Sequence, residues 1–299
     1  MRRPVNSPAG IAMADPKAPG SKGAVKPDFA TFGGLLLAIG GIAGGLVMEG
    51  GSLRDVAQLT SAMIVLGGTL GAVMVTTPFP VLIRAIKQLS NLFFSRTEST
   101  SGRIDEIIDF ATKARRYGIA SLEKRAAAIA DPFLRKALEL AVDGIEPARI
   151  RDIMELEISL FEQDAEAEAG VFEAAGGYAP TIGIVGAVLG LIQVMKNLAN
   201  VEAVGHGIAI AFVATIYGVA SANIFFLPAA SKLRARAHSV VRMRELTLEG
   251  ILGIAERINH RVIRIKLEAY LPETHAPESH AENGKSSLAG AGEPAAAES

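Results

Sequence analysis

The stretch YAPTIGIVGAVLGLIQVM, residues 178–195, contains no Asp, Glu, Lys or Arg, and neither does GHGIAIAFVATIYGVASANIFFL, residues 205–227. Residues 29–48 and 59–83 form two further uncharged apolar runs nearer the start of the chain. A helix of about 20 mostly apolar residues is long enough to cross a hydrocarbon core of roughly 30 Å. The sequence therefore predicts four membrane spans. Because none of them carries a carboxylate or an amine, we expect a partner chain to supply the titratable group if the protein moves an ion.

Almost all charged residues lie outside these apolar runs. They make up 20% of the 299 residues, so a substantial water-exposed part is predicted beside the spans. The net charge of −1 gives no reason to expect a nucleic-acid partner. Cysteine is absent, which excludes disulfides, thiolate metal sites and cysteine nucleophiles. No metal or other cofactor is expected, because the histidines are dispersed without metal-site spacing. They are His206, His238, His260, His275 and His280.

The distribution of Lys and Arg predicts the orientation of the spans. The short loops at residues 49–58 and 196–204 contain one Arg and one Lys respectively, whereas the opposite ends of the spans are rich in basic residues. These are Arg84, Lys87, Arg96, Lys232, Arg234 and Arg236. Since basic residues favour the cytoplasmic side, both short loops should face outward and both termini should be cytoplasmic.

The predicted fold is all-α, with four transmembrane helices, a large cytoplasmic helical insert between spans two and three, and cytoplasmic extensions of spans three and four. The proline-rich start and the Ala-, Gly-, Ser- and Glu-rich end are predicted to be flexible tails. The predicted domains are a cytoplasmic tail at 1–27, spans one and two at 28–83, the cytoplasmic insert at 84–177, spans three and four at 178–228, a basic helix at 229–271 and a disordered tail at 272–299.

The insert contains residues typical of helix ends. We expect a first helix with Ser101 as its N-cap and Gly118 as its stop. A second should begin at Asp131-Pro132 and close at Gly144, and Pro147 should open a long third helix.

Two long segments of opposite charge follow. Residues 152–173 contain eight acidic residues and no basic one, whereas residues 232–266 contain nine basic and three acidic residues. Spans three and four are joined by a short loop, so their cytoplasmic continuations should lie side by side. The charges predict that these two helices pair, although solvated helix faces of low energetic weight are the alternative.

Glycine pairs four residues apart occur in three of the spans, at Gly40 and Gly44, Gly67 and Gly71, and Gly186 and Gly190. This spacing favours close helix packing. Spans three and four also hold uncharged polar side chains, which could bridge helices, line a wet path or bond to their own helix backbone. They are Thr181, Gln193, Thr215, Tyr217, Ser221 and Asn223. Two prolines bracket the pair, at Pro180 and Pro228, as either hinges or helix boundaries.

Two runs in spans three and four have a specific pattern: FEAAGGYAPTIGIVGAVLGLI (172–192) and AIAFVATIYGVASANIFFLP (209–228). They resemble the third and fourth spans of the MotA family of flagellar motor stator subunits. The resemblance extends through Asp131-Pro-Phe-Leu and Val142-Asp-Gly to Glu249-Gly-Ile-Leu and covers about residues 28–272.

Membership would imply an ion-channel-forming stator subunit of the bacterial inner membrane. Such subunits form homopentamers around two copies of a single-span, peptidoglycan-binding MotB-like partner, whose aspartate carries the ion. The cytoplasmic insert pushes the rotor switch protein FliG through charged contacts. By this resemblance Arg115, Arg116 and Glu123 are the rotor-contact candidates.

The same matching assigns roles within the membrane. Pro180 and Pro228 correspond to the family's functional prolines, and Thr215 to its threonine on the ion path. Ala187 stands where sodium-using members tend to have a threonine, and the missing hydroxyl favours protons. The membrane lipid itself is the remaining expected partner.

Two other classes of protein are alternatives: an energy-transducing channel subunit, and a transporter or membrane enzyme. An ExbB- or TolQ-type energy-transducing proton channel subunit for outer-membrane processes uses a similar arrangement but usually has three spans. A transporter would commonly need intramembrane charges or paired repeats. An enzyme would need converging nucleophile, base or metal ligands, which the sequence does not show, so a non-enzymatic role is expected.

Overall fold

A computed structural model describes residues 25–96 and 99–271 of the chain, and its described part is helical apart from one short two-stranded ribbon. The helices are α1 Phe29–Met48, α2 Leu53–Val56, α3 Leu59–Ala62, α4 Gly68–Thr76, α5 Phe79–Phe93, α6 Thr100–Tyr117, α7 Glu123–Ala126, α8 Pro132–Val142, α9 Pro147–Lys196, α10 Val201–Ala220, α11 Leu227–Ala255 and α12 His260–Glu268. The π-helical segments Met63–Gly67 and Ser221–Phe226 join α3 to α4 and α10 to α11, and the 3-10 turn Ile119–Leu122 precedes α7.

The predicted all-α architecture is confirmed. Within the described residues, four helical stretches are long and apolar enough to cross a membrane: Phe29–Met48, Leu59–Thr76, and parts of Pro147–Lys196 and Val201–Ala255. The ribbon pairs β1, Val25–Pro27, antiparallel with β2, Phe94–Arg96. Residues 1–24 of the predicted N-terminal tail and all of the predicted tail at 272–299 lie outside the described residues.

Span two is shorter than the sequence predicted. The apolar run continues to Ile83, but the helix ends at Thr76, and Thr77 is extended with φ −120° and ψ 130°. The reason is Pro78, whose ring disfavours the helical conformation at the residue before it. A separate amphipathic helix, α5, then starts at Phe79 and packs Leu82 and Ala85 against α9 and α11.

Spans three and four each continue without interruption into the cytoplasmic part. Helix α9 has 50 residues, about 75 Å at 1.5 Å per residue. Helices α10 and α11 form one continuous rod through the π-helical turn Ser221–Phe226. Pro228 is the second residue after that turn, and its missing N–H and bulky ring account for the widened helix there.

The cytoplasmic insert has its own apolar core, formed where α6, α8 and α12 pack on the start of α9 and the end of α11. Its fully buried side chains include Ile107, Leu134, Leu138, Ile150 and Met154. Because α9 and α11 both contribute to this core, the insert is joined rigidly to spans three and four rather than through a flexible linker.

Most of the predicted helix ends are confirmed. Asp131 caps α8 by accepting the N–H of Phe133 at 3.0 Å, and Pro147 occupies the first turn of α9. Gly118 and Gly144 adopt the left-handed φ values of +82° and +75° that L side chains rarely adopt.

The predicted N-cap of α6 is wrong by two residues. Ser99 caps the helix and accepts the N–H of Gly102 at 3.3 Å, while Ser101 lies inside the first turn. Ser99, Thr100 and Ser101 can all cap a helix, and only Ser99 has the extended backbone that a cap requires.

Candidate ion path and coupling site

Spans three and four touch each other backbone to backbone. A Cβ on Gly218 would lie 2.6 Å from the carbonyl oxygen of Ala179, and one on Gly190 would lie 2.8 Å from the amide nitrogen of Ala211. Gly183 is similarly close to the carbonyl oxygen of Ala214, at 3.0 Å. Only glycine permits helix axes to approach this closely, so the packing role predicted for the glycines of span three is confirmed.

The glycines of the first two spans behave differently, except for Gly68, where an added Cβ would lie 2.7 Å from Cγ2 of Ile182 in α9. A Cβ added at Gly40, Gly44, Gly67 or Gly71 would meet nothing within 4 Å inside the protomer. The packing expected from their spacing is therefore not made within one subunit. These small-residue faces are left open toward whatever surrounds the protomer.

Pro180 lies inside α9 and interrupts its hydrogen-bond ladder, because a proline leaves the carbonyl four residues earlier without its helical donor. That residue is Gly176, where an added Cβ would lie 2.5 Å from Cδ2 of Leu227. Leu227 directly precedes Pro228. The structure thus brings the two predicted prolines to the same crossing of α9 with the rod formed by α10 and α11.

Thr215 is half-buried in α10, and its hydroxyl donates to the carbonyl oxygen of Ala211 in its own helix at 3.1 Å. Three other polar side chains of the pair, Thr181, Ser221 and Asn223, also donate to their own helix. Of the alternatives left by the sequence, bonding to the residue's own helix is the one seen for these four side chains in this protomer. Breaking such a bond costs little free energy and frees the hydroxyl. Thr215 can therefore still bind water on an ion path.

Ala187 and Thr215 each directly follow a residue of one contact between the two spans. Gly186 packs against Ala214, with an added Cβ only 2.7 Å from that methyl carbon. The methyl side chain of Ala187 offers no oxygen that could replace the hydration shell of a metal cation.

Two polar side chains instead bridge span four to the region of span two. The hydroxyl of Tyr217 donates to the carbonyl oxygen of Val56 at 2.5 Å, and that of Ser61 donates to the carbonyl oxygen of Ile210 at 3.2 Å. Sequence reasoning singled out Tyr217 without finding this bond, because the partner is a backbone oxygen and carries no sequence signal.

Below the membrane spans, the predicted pairing of the acidic and basic helices is confirmed. Arg234 of α11 binds Glu166 and Glu173 of α9. Hydrogen bonds from Arg234 hold the pKa of Glu166 below its usual value. Nearby Arg84 of α5 joins the same helix by binding Asp164 at 3.0 Å.

The basic residues on either side of Arg234 bind elsewhere. Lys232 and Arg236 reach Asp28, the residue that caps span one, at 2.5 and 3.0 Å from its Oδ2. The hydrogen bond from Lys232 is the main cause of a pKa of about 2 for Asp28. Sequence reasoning missed this cluster. The available signal was an Asp just before an apolar run, together with two basic residues four apart on α11.

The rotor-contact candidates lie around the turn between α6 and α7. Arg115 and Arg116 are in the last turn of α6, Glu123 starts α7, and all three are exposed. Within residues 25–96 and 99–271 none of the three has an ion-pair partner. By contrast, Arg125 and Lys113 both bind Asp109, which fixes the shape of the turn. The three candidate charges are therefore held on a defined surface and are available to another protein.

Comparison with known proteins agrees with this arrangement. Residues 32–112 match the motility protein A N-terminal family, and residues 125–246 match the MotA/TolQ/ExbB proton channel family. The chain is 35% identical to motility protein A of Bacillus subtilis, over 84% of this chain and 95% of the relative. This chain belongs to the motility protein A family.

Further family members and solved structures are similar over the same region. The chemotaxis protein PomA of Vibrio alginolyticus is 31% identical, over 82% of this chain and 96% of PomA. The structure of C. jejuni MotAB has 34% identity and a TM-score of 0.79, covering 84% of this chain and 98% of that one. The flagellar MotAB stator complex of Bacillus subtilis has 34% identity and a TM-score of 0.76, covering 82% and 97%. Like these relatives, the chain is a multi-pass membrane protein.

Proposed function

We propose that this flagellar stator subunit couples proton flow across the inner membrane to torque on the rotor, without enzymatic chemistry. One observation carries the proposal: both candidate prolines lie at one crossing of two helices that run unbroken from the membrane spans into the cytoplasmic core. A change of angle at that crossing would move the insert as a lever. The charge-free spans supply no proton carrier, so a MotB-like single-span partner is proposed to bring the carboxylate.

The proposed assembly is a homopentamer around the partner, with both termini in the cytoplasm. It is supported by the open apolar faces of the first two spans. Span one has no buried residue in the protomer, and Leu36 and Leu37 are each 77% exposed. Apolar surface of this extent is stable only against lipid or another subunit. Membrane lipid and neighbouring copies of the chain are therefore the proposed occupants of these faces.

Pro180 and Pro228 are proposed to let the crossing flex when the partner's aspartate gains or loses a proton. A proline inside a helix removes one backbone bond, which lowers the resistance to bending at that point. Thr215 is proposed to exchange its bond to Ala211 for a bond to water on the ion path. Ala187 favours protons, since a hard cation such as sodium would need an oxygen ligand there.

The rotor switch protein FliG is the proposed target of the cytoplasmic insert. Arg115, Arg116 and Glu123 would make the contact, because their charges are exposed and have no ion-pair partner among the described residues. Such contacts steer and orient a partner more than they hold it tightly. This suits a surface that must be released repeatedly as the rotor turns.

The function is tested by deleting the gene and scoring filament assembly by electron microscopy and swimming in the same cells. Normal filaments without swimming, restored by the intact gene, would support the stator role. Normal swimming with defects in import or envelope integrity would instead favour an energy-transducing role of the ExbB or TolQ type.

A further inference from the structure

Span one is weakly attached to the rest of the protomer along most of its length. No residue of α1 is buried, and its main contacts outside the loop to α2 are with α5 and the π-helical turn Ser221–Phe226. The rings of Phe32 and Phe93 lie 5.2 Å apart at its cytoplasmic end. The position of this span therefore depends on what holds that end.

Asp28 is the centre of that attachment. Its Oδ2 accepts from Lys232 at 2.5 Å and from Arg236 at 3.0 Å, while its Oδ1 accepts the N–H of Thr31 at 3.2 Å and caps the helix. Lys232 also donates to the hydroxyl of Thr31. The three charged side chains are only 19–26% exposed, so water screens them less than an ordinary surface pair.

The same cluster also holds α5. Arg236 donates to the carbonyl oxygen of Leu92 at 3.2 Å, and the N–H of Asp28 donates to the carbonyl oxygen of Phe93 at 3.0 Å. Strand β1 directly precedes Asp28 and strand β2 directly follows α5, so the pairing of the two strands extends the contact between these segments. The start of span one, the end of α5 and the upper part of α11 thus meet at one carboxylate.

The attachment lies on the cytoplasmic side of Pro228, where the helix is proposed to bend. Lys232 and Arg236 follow Pro228 by one and two helical turns, on the same face of α11 because they are four residues apart. Span one is fastened to the cytoplasmic side of Pro228, whereas its membrane part passes the π-helical turn with few contacts.

We propose that Asp28 is a positioning residue, which fastens span one and α5 to α11 below Pro228 so that both follow the cytoplasmic lever and not span four. The mechanical consequence rests on the proposed function, but the attachment itself does not. A single exposed pair would contribute little. Here two charged donors and a backbone N–H converge on one shielded carboxylate, which makes the bonds charge-assisted and directional.

The attachment can be measured by crosslinking, since the chain contains no cysteine. Phe32→Cys and Phe93→Cys, introduced together, are joined in membranes with a short bismaleimide. Adding Asp28→Asn keeps an N-cap but removes the charge, and we expect the crosslinking rate to fall on the order of fivefold. Asp55→Asn is the matched control, because the carboxylate of Asp55 also serves a helix N-terminus by accepting the N–H of Ser52, the N-cap of α2, but has no ion-pair partner among the described residues. It should leave the rate unchanged.

A conservative variant guards against general misfolding. Asp28→Glu keeps a carboxylate for Lys232 and Arg236 and should retain most of the crosslinking. An unchanged rate in Asp28→Asn, or an equal loss in Asp28→Glu protein that inserts at normal levels, would overturn the attachment. If an Asp28→Asn strain showed reduced crosslinking but full torque at high load, the proposed movement of span one and α5 with the cytoplasmic lever would be overturned. The crosslinking result does not depend on rotation, so it stands or fails separately from the stator role.

Discussion

Gly218 of span four lies directly against Ala179 of span three: a Cβ on the glycine would sit 2.6 Å from the alanine carbonyl oxygen. No side-chain rearrangement can relieve such a clash, because the obstacle is backbone. The two spans therefore stay at this separation only while the position is glycine. This contact is one residue before Pro180, so it fixes the geometry of the crossing on which the proposed coupling depends.

Gly218→Ala should force the two spans apart and destabilise the protomer by about 1–3 kcal/mol, the usual range for overpacking. Thermal unfolding of the detergent-solubilised protein would measure it. Gly205→Ala is the control, since a Cβ there meets nothing within 4 Å. Equal melting temperatures for the two variants would show that the crossing is not tightly packed.

Pro180→Ala should impair rotation without loss of the complex. Alanine restores a backbone N–H for the carbonyl of Gly176 and stiffens α9, since an interior proline disfavours a helix by about 3 kcal/mol relative to alanine. Swimming speed and the amount of complex in membranes are measured together. Pro147→Ala is the matched control, because proline is tolerated in the first turn of a helix. Unchanged motility in Pro180→Ala would contradict a hinge at this site.

Reversing a charge at the turn between α6 and α7 should lower torque while assembly and insertion stay normal. Arg115→Glu and Glu123→Arg place the opposite sign on an exposed surface, so the expected loss is in the rotor contact and not in stability. Swimming in viscous medium reports torque at high load. Arg261→Glu, an exposed charge on α12, should have no effect. Normal swimming of both turn variants under load would contradict the assigned contact.

The Asp28 cluster predicts a pH dependence of stability with a definite sign. The pKa of Asp28 is lowered from 3.8 to about 2 in the folded protein. Its contribution is therefore fully present above pH 3.8 and is lost as the pH falls through about 2. Allowing for partial screening by water, that contribution is about 1–2 kcal/mol.

Melting temperatures of the parent and of Asp28→Asn in detergent, compared between pH 7 and pH 2.5, would test this. The difference between the two curves should be largest at neutral pH and clearly smaller at pH 2.5, where part of it remains because this pH is still above the folded pKa of about 2. A difference that stays constant with pH would mean that the charge of Asp28 does not stabilise the fold.

Features coded by a few neighbouring residues could be predicted from the sequence. Asp131-Pro132 and Gly118 mark helix ends because the cap and the left-handed turn depend on local backbone geometry. The pairing of α9 with α11 also followed, since a short loop forces spans three and four to be neighbours. The predicted span two extends too far at its cytoplasmic end, because the hydropathy stays high beyond Pro78. The helix itself ends before this proline.

Long-range partners could not be predicted in the same way. Lys232 and Arg236 were assigned to the acidic helix with Arg234, but they lie on another side of α11 and reach Asp28 instead. An Asp just before an apolar run indicates a helix cap, but it does not indicate which residues more than 200 positions away bind its carboxylate. The hydrogen bond from Tyr217 to the carbonyl oxygen of Val56 could not be predicted either, because a backbone acceptor carries no sequence signal. The roles of Pro180, Ala187, Thr215 and Pro228 remain proposals supported by their placement.

The most direct test of the central claim is the rotation of tethered cells that carry normal filaments but lack this gene, followed while the intact gene is induced. The account predicts that rotation appears on induction, stops when a protonophore collapses the proton gradient, and persists when sodium is withdrawn. Rotation that is already present before induction, or that continues without a proton gradient, would contradict it.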